Sequence, residues 1–375
     1  MRSERAAVTT LFFVNGAIFS SFFARLPAIK ADLGASDGQL GLALFAATVA
    51  LVIAQPLAGA LAQRFGARGP ALAGAFGTGV GLPLAAHVPS VGLLALTLFA
   101  AFFSNGVLDV AINVEGVAVE RRLGRRVLSS MHAAFSFGAM AGAGGGALAA
   151  AAGLEPEAHL AVVAVATLAV AVVAGCGVPP NPPVASRGPS FARPSVPLLA
   201  LGAAAFCVLL AEGSVTDWSA IFLSDEAGAG EAVAALGLAA FSLVMAIGRL
   251  GGDGLAERFG ARPVVRCGGM LAAVGLALAL ATAEPAPSII GFGLMGAGLS
   301  ATFPLIVAAA ARTEGLEEAP AIAAVSGLGY VGFIAGPATI GALSDAAGLR
   351  SALLPVVALC LLTVVLAGRL GRSPG

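Results

Sequence analysis

Asp109 stands alone in the apolar run Gly106-Val-Leu-Asp-Val-Ala-Ile-Asn113, and Asn113 follows it by four residues. On a helix that spacing puts carboxyl and amide one above the other on a single face. A carboxyl so placed is a candidate proton carrier, and the competing reading is a protonated Asp that only bonds a neighbouring helix. Glu212 is its equivalent in the second half of the chain, with Thr216 and Ser219 on its face. His132 could relay protons or bind a solute, or could be a structural histidine satisfied by a backbone carbonyl. Asp217 and Trp218 come next to Glu212, and Trp218 is the sole tryptophan. Its ring suits either an interfacial anchor or a surface on which a sugar or aromatic ligand stacks. Arg25 could meet an anionic solute or snorkel to an interface. Tyr330, the sole tyrosine, completes the solute-binding candidates with Asn113, Trp218, Asp217 and Arg25.

These residues are conspicuous because so little around them is charged. Of 375 residues 58% are hydrophobic and 11% charged, whereas about a quarter are charged in a soluble domain. A chain this poor in charge faces lipid over most of its surface. The formal net charge of zero argues against nucleic acid. Cys176, Cys207, Cys267 and Cys360 lie singly in apolar stretches, so they read as packing residues, and neither a metal nor a cofactor is expected. Lys30 is the only lysine, which excludes a Gly-x-x-x-x-Gly-Lys phosphate loop and with it an ATP-driven pump within this chain. There is no His-Glu-x-x-His and no Gly-x-Ser-x-Gly, so an enzyme is not expected.

Apolar runs of about 20 residues recur near 8–29, 38–62, 68–87, 90–118, 127–152 and 157–177, then near 196–223, 231–256, 262–281, 287–311, 318–345 and 349–370. The first run is too long for a cleaved signal and is expected to be a retained helix. Six prolines crowd the segment 178–195, which no membrane helix would traverse, so it reads as a linker between an N-terminal bundle (1–177) and a C-terminal bundle (196–375). With a cytoplasmic N-terminus, nearly every arginine outside the spans falls on the cytoplasmic side, Lys30 and Arg350 falling opposite with Arg25 at that membrane edge. The asymmetry predicts an even number of spans with both termini in the cytoplasm. On that reading Asp109 lies about ten residues, roughly 15 Å, from the cytoplasmic end of the fourth span.

Leu61-Ala-Gln-Arg-Phe-Gly-Ala-Arg68 recurs as Leu255-Ala-Glu-Arg-Phe-Gly-Ala-Arg262, with one difference, and the same offset carries Gly138 onto Gly332. Six spans separate the copies, so both halves keep one orientation. Transporters of this build place their solute site between the halves near the midplane. Arg249 and Asp253, one turn apart, are expected to pair near the cytoplasmic gate. Gly138, Gly142, Gly144, Gly145 and Gly146 predict close helix approach, and Gly336-Pro337 a kink.

At the repeated segment the chain resembles the major facilitator superfamily, whose loop between the second and third helices has the form Gly-x-Leu-x-Asp-Arg-x-Gly-x-Arg. Gly59, Leu61, Arg64, Gly66 and Arg68 match it, while Gln63 replaces the acid and Glu257 restores it in the second copy. The resemblance implies an all-α fold of twelve transmembrane helices in two pseudo-symmetric bundles. It also implies a secondary transporter working by alternating access, usually as a monomer, with a cytoplasmic gate at Gly59, Arg64, Gly66, Arg68, Arg249, Asp253, Arg258 and Arg262. The Gln63 substitution weakens the charge latch expected in the first half. The run from Gly106 to Asn113, followed by His132-Ala-Ala-Phe-Ser-Phe-Gly-Ala139, is similar to fucose-permease-like proton symporters, although their first-helix acid falls near Phe23. This narrower resemblance implies proton coupling through Asp109, helped by His132 and Glu212, and uptake of a sugar-like solute across the bacterial inner membrane. Proton-antiport efflux of amphipathic compounds is the alternative, to which Phe12, Phe13, Phe22, Phe23, Phe102 and Phe103 would offer an apolar lining. A receptor or membrane enzyme is the remote one.

Overall fold

The computed structural model describes residues 2–124, 127–178, 196–313 and 318–369, and among them every regular element is helical. The first set comprises α1 (Arg2–Ala24), α2 (Leu26–Asp32), α3 (Asp37–Phe65), α4 (Arg68–Ala86), α5 (Val91–Leu123), α6 (Leu128–Ala151) and α7 (Pro156–Cys176). The second comprises α8 (Val196–Asp225), α9 (Glu231–Phe259), α10 (Ala261–Thr282), α11 (Pro285–Leu299), α12 (Thr302–Ala311), α13 (Glu318–Ala347), α14 (Leu349–Ala352) and α15 (Leu354–Leu366), closed by a 3₁₀ turn at Ala367–Arg369.

Three of the expected spans are broken helices. The first divides at Arg25 (φ −102°, ψ 4°), the tenth at Ser300 and Ala301, and the last at Leu353. Among the described residues eleven helical stretches are long and apolar enough to cross a membrane, the build of an integral membrane protein. The twelfth expected span is α4, whose many glycines and two prolines dilute its hydropathy. It packs against α5 and α7 like a member of the bundle. The Pro-rich segment lies outside the described residues except for Val178.

Local chemistry fixes the ends. Ser36 accepts from the Gln39 N–H while Gln39 returns a bond to Ser36, a capping box that starts α3. Ser90 caps α5 in the simpler way. The repeated segment has the same geometry twice: α3 ends at Gly66 (φ 75°, ψ 166°) and α9 at Gly260 (φ 85°, ψ 153°). Only glycine adopts such angles without strain. Arg64 lies over the Phe65 ring at 5.2 Å and Arg258 over Phe259 at 5.2 Å, so the repeat in sequence is a repeat in space.

Within the first set α1 packs on α6, and within the second α8 packs on α13. The α1–α6 contact is made by missing side chains. A Cβ on Gly138 would sit 2.0 Å from the Phe13 carbonyl oxygen, and one on Gly142 would sit 2.1 Å from that of Ala17. Gly332 meets the Phe206 carbonyl in the same manner. Gly144 and Gly145 face open space, so only part of the glycine stripe serves close approach. The two sets touch along two seams, α6 against α9 and α3 against α13.

The candidate solute chamber

Between the seams lies a chamber whose centre has a volume of about 240 Å³. Each of seven helices lends it polar side chains: Asn15 and Ser20 from α1, Gln55 from α3, Asn105 and Asp109 from α5, Ser136 from α6, Glu212 and Thr216 from α8, Ser242 and Arg249 from α9, and Tyr330 from α13. One arm, about 570 Å³, continues past Asp109, Asn113 and His132 to Arg121. A second, about 840 Å³, runs past His132, Glu212 and Arg249 to Arg312. Both arms therefore open toward the arginine-rich end of the bundle.

Asp109 and Asn113 share a face, as their spacing requires. The Asn113 amide donates to the Asp109 carbonyl at 2.8 Å and to its carboxylate at 3.4 Å, and Asp109 takes part in no ion pair among the described residues. Glu212 is held differently. Arg249 donates from Nη2 to the Glu212 carboxylate at 3.2 Å and from Nη1 to the Ser136 hydroxyl at 2.7 Å. One guanidinium thus ties α9 to α8 in its own set and to α6 in the other. Arg249 was expected to face Asp253, whose side chain lies outside the described residues. His132 stands where the two arms meet, edge-on to Phe12 at 5.1 Å.

Several expected site residues fall elsewhere. Trp218 is fully buried, its indole N–H has no partner among the described residues, and it lines neither the chamber nor its arms. Asp217 is buried beside it, also off the chamber wall. Phe12, Phe22, Phe23 and Phe102 are buried, while Phe13 is partly exposed. The phenylalanines that line the chamber are Phe19, Phe135, Phe241 and Phe333. Arg64 and Arg258 are exposed at the open end, Arg68 and Arg262 are half-buried there, and a Cβ on Gly59 would meet nothing. Glu115 pairs with Arg122 at 2.7 Å.

The sequence reading passed over three features. Asn105 donates to Asn15 across the chamber wall at 2.6 Å, and Gln55 lines both the centre and the Asp109 arm. Lone amides inside apolar runs were the available signal. The third is the closure of the opposite end. Lys30 bridges Asp37 and Asp225, the latter at 2.6 Å. Asp345 accepts from the Ser36 hydroxyl at 2.8 Å and the Gly38 N–H at 2.9 Å, and Ser344 donates to Asp37. Arg25 reaches Glu231 at 3.2 Å. Beneath this layer α3 and α13 touch backbone to backbone, since a Cβ on Gly41 would lie 2.5 Å from the Pro337 carbonyl oxygen. Burial alone would lower the Lys30 pKa, but bonds to Asp225 and Asp37 and their charges outweigh it and hold the ammonium above its ordinary value.

Comparison with known proteins bears on what a chamber open at one end and latched at the other belongs to. Residues 8–252 and 201–374 match the Major Facilitator Superfamily. An uncharacterized MFS-type transporter of Yersinia pestis is 32% identical over 369 residues, covering 98% of this chain and 95% of that protein. The membrane protein MosC of Rhizobium meliloti is 28% identical over 358 residues, covering 94% and 86%. A bacterial homologue of the human lysosomal transporter Spinster, in an inward-facing and occupied conformation, superposes with a TM-score of 0.76 at 16% identity over 99% of this chain and 98% of that one. The Escherichia coli fucose:proton symporter superposes at 0.61 with 19% identity, each chain 98% covered.

Proposed function

The chain belongs to the major facilitator superfamily, and from that premise we propose that it takes up a small polar, sugar-like solute together with protons. It is a membrane transporter and not an enzyme. Residues 1–177 and 196–375 are the two bodies that rock about the chamber, joined by 178–195, and the protein works as a monomer. The arginine asymmetry puts the open end in the cytoplasm, along with both termini, and the Lys30 end outside the bacterial inner membrane.

The observation that carries the reading is Asp109. Its carboxyl lines both the chamber and an arm open to water, with Asn113 as its hydrogen-bond donor and no cation paired to it among the described residues. A group held in that way gains or loses a proton without breaking an ion pair, and its charge biases which end of the chamber is open. Glu212 and Arg249 form the second charged element, and His132 lies between the arms as a relay. Asn113, Asn105, Asn15, Gln55 and Tyr330 supply the donors and acceptors that a polyhydroxylated solute needs. Arg25, Asp217 and Trp218 lie away from this polar centre.

The test is uptake into proteoliposomes with an imposed proton gradient, using sugars first selected by thermal stabilisation of the purified protein. Asp109→Asn should abolish accumulation against the solute gradient while leaving solute exchange. Accumulation undiminished in that variant would remove Asp109 from the mechanism. A second reading, efflux of amphipathic compounds, draws on Phe19, Phe135, Phe241 and Phe333 in the wall and on the apolar larger arm. Stabilisation by lipophilic cations and not by sugars would favour it.

A further inference from the structure

The Lys30 end holds a separate concavity of about 370 Å³ on the seam between the two sets of helices. Its walls are Arg25 at the α1–α2 break, Gly153, Leu154 and Glu155 in the α6–α7 turn, and the first residues of α9 from Gly230 to Val233. The Arg25 side chain is 2% exposed, yet among the described residues only one of its three guanidinium nitrogens is partnered. Nη2 donates to the Leu154 carbonyl at 2.7 Å and meets Glu231 at 3.2 Å, while Nε and Nη1 have no acceptor and, with Glu231 in place, are shut off from the concavity. His159 is buried beside it, both ring nitrogens also without partners. The two side chains pack so closely that a Cβ on Gly146 would lie 3.6 Å from the His159 ring and 3.9 Å from Arg25 Cδ.

A buried guanidinium with unfilled donors is an arrangement that folded proteins avoid unless an acceptor arrives. The Leu154 carbonyl fixes the group in place, so it does not swing out to find water. The Gly230 N-cap of α9 makes no side-chain bond, which leaves the first N–H groups and the positive end of a 29-residue helix facing the same space. Glu231 shows what chemistry fits, being a carboxylate already on Arg25. It is 46% exposed and belongs to the opposite side of the seam, so it withdraws when this end opens.

We propose that the concavity is a binding site for a small singly charged oxyanion, a carboxylate foremost, held by the Arg25 guanidinium and the start of α9. Glu231 occupies the site while the end is closed, and an incoming anion displaces it. Glu155 on the facing wall discriminates against dianions by charge. This site is distinct from the chamber, and the assignment does not depend on the proton-coupled reading.

The experiment is a titration of the purified full-length protein with sodium acetate, lactate or sulfate at constant ionic strength in a chloride background, read as melting temperature. Acetate and lactate should stabilise saturably. Glu231→Gln, a change at a half-exposed position that leaves the guanidinium intact, should tighten their apparent Kd by about fivefold, because a competing ligand is gone. Arg25→Gln should weaken it by about tenfold or more. A response no different from chloride in both the parent and Glu231→Gln overturns the proposal, as does binding retained in a folded Arg25→Gln. Stabilisation by sulfate alone overturns the singly charged assignment. No transport is measured, so failure here leaves the Asp109 test untouched, and failure there leaves this one.

Discussion

Lys30→Gln should open the latched end, and the size of the effect follows from the geometry. Lys30 and Asp37 are each 15% exposed, and Asp225 is 43% exposed. Exposed pairs contribute about 0.2–1 kcal/mol each. Asp37 lies with Lys30 in the first set of helices and only Asp225 lies in the second, so the Lys30–Asp225 pair alone resists opening, by about 0.2–1 kcal/mol, a factor of about 1.4–5 in the ratio of closed to open. Its loss acts on the opening equilibrium and not only on folding. The assay is thiol labelling at Thr48, a buried residue on α3 seven positions beyond Gly41 and hence on nearly the same face, toward α13. Thr48→Cys, in a background with the exposed Cys176 and Cys267 changed to serine, reacts only when α3 and α13 part. Lys30→Gln should raise its rate by up to about fivefold with little change in melting temperature. An unchanged rate would show that the glycine contact beneath, and not the charges, holds this end.

Three other outcomes are expected. The Lys30 pKa is raised above 10.5, so the latch is at full strength below that value and weakens as pH rises through the raised one. Labelling at Thr48→Cys, corrected for thiolate fraction, should be flat from neutrality to about pH 9 and climb beyond the ordinary lysine range. Gly138→Ala forces a Cβ into the Phe13 carbonyl and should lower stability by about 1–3 kcal/mol, whereas Gly144→Ala, facing open space, should leave the melting temperature unchanged or slightly higher. Gly66→Ala and Gly260→Ala should each destabilise by about 1–3 kcal/mol, and by similar amounts, because φ and ψ are 75° and 166° at one and 85° and 153° at the other. Paired thermal melts would check this.

Much of the architecture was legible because lipid imposes it. Apolar runs and a duplicated loop are local or periodic signals, and both survived translation into helices. The Asp109–Asn113 face was legible for the same reason, as its partners are four residues apart. What escaped joins residues distant in the chain. Lys30 meets Asp225 across 195 positions and Ser36 meets Asp345 across 309, and no periodicity announces such a pair. The break at Arg25 has no glycine at its hinge, and Pro27, two residues further on, starts a helix as readily as it ends one. Trp218 drew attention by rarity, but a large aromatic ring gains as much from packing as from binding, and here it packs. Asn15 and Asn105 were visible as amides in apolar runs, yet their mutual distance was not.

The latch has an environmental side. Charge pairs near a surface are screened over about 8 Å at physiological ionic strength and over longer distances in dilute media. Asp225, nearly half exposed, and the exposed Asp345 are open to that screening. The resting bias of this carrier is therefore not a constant of its fold. Moving the protein from dilute to concentrated salt changes, without any signal or modification, how tightly the Lys30 end is shut.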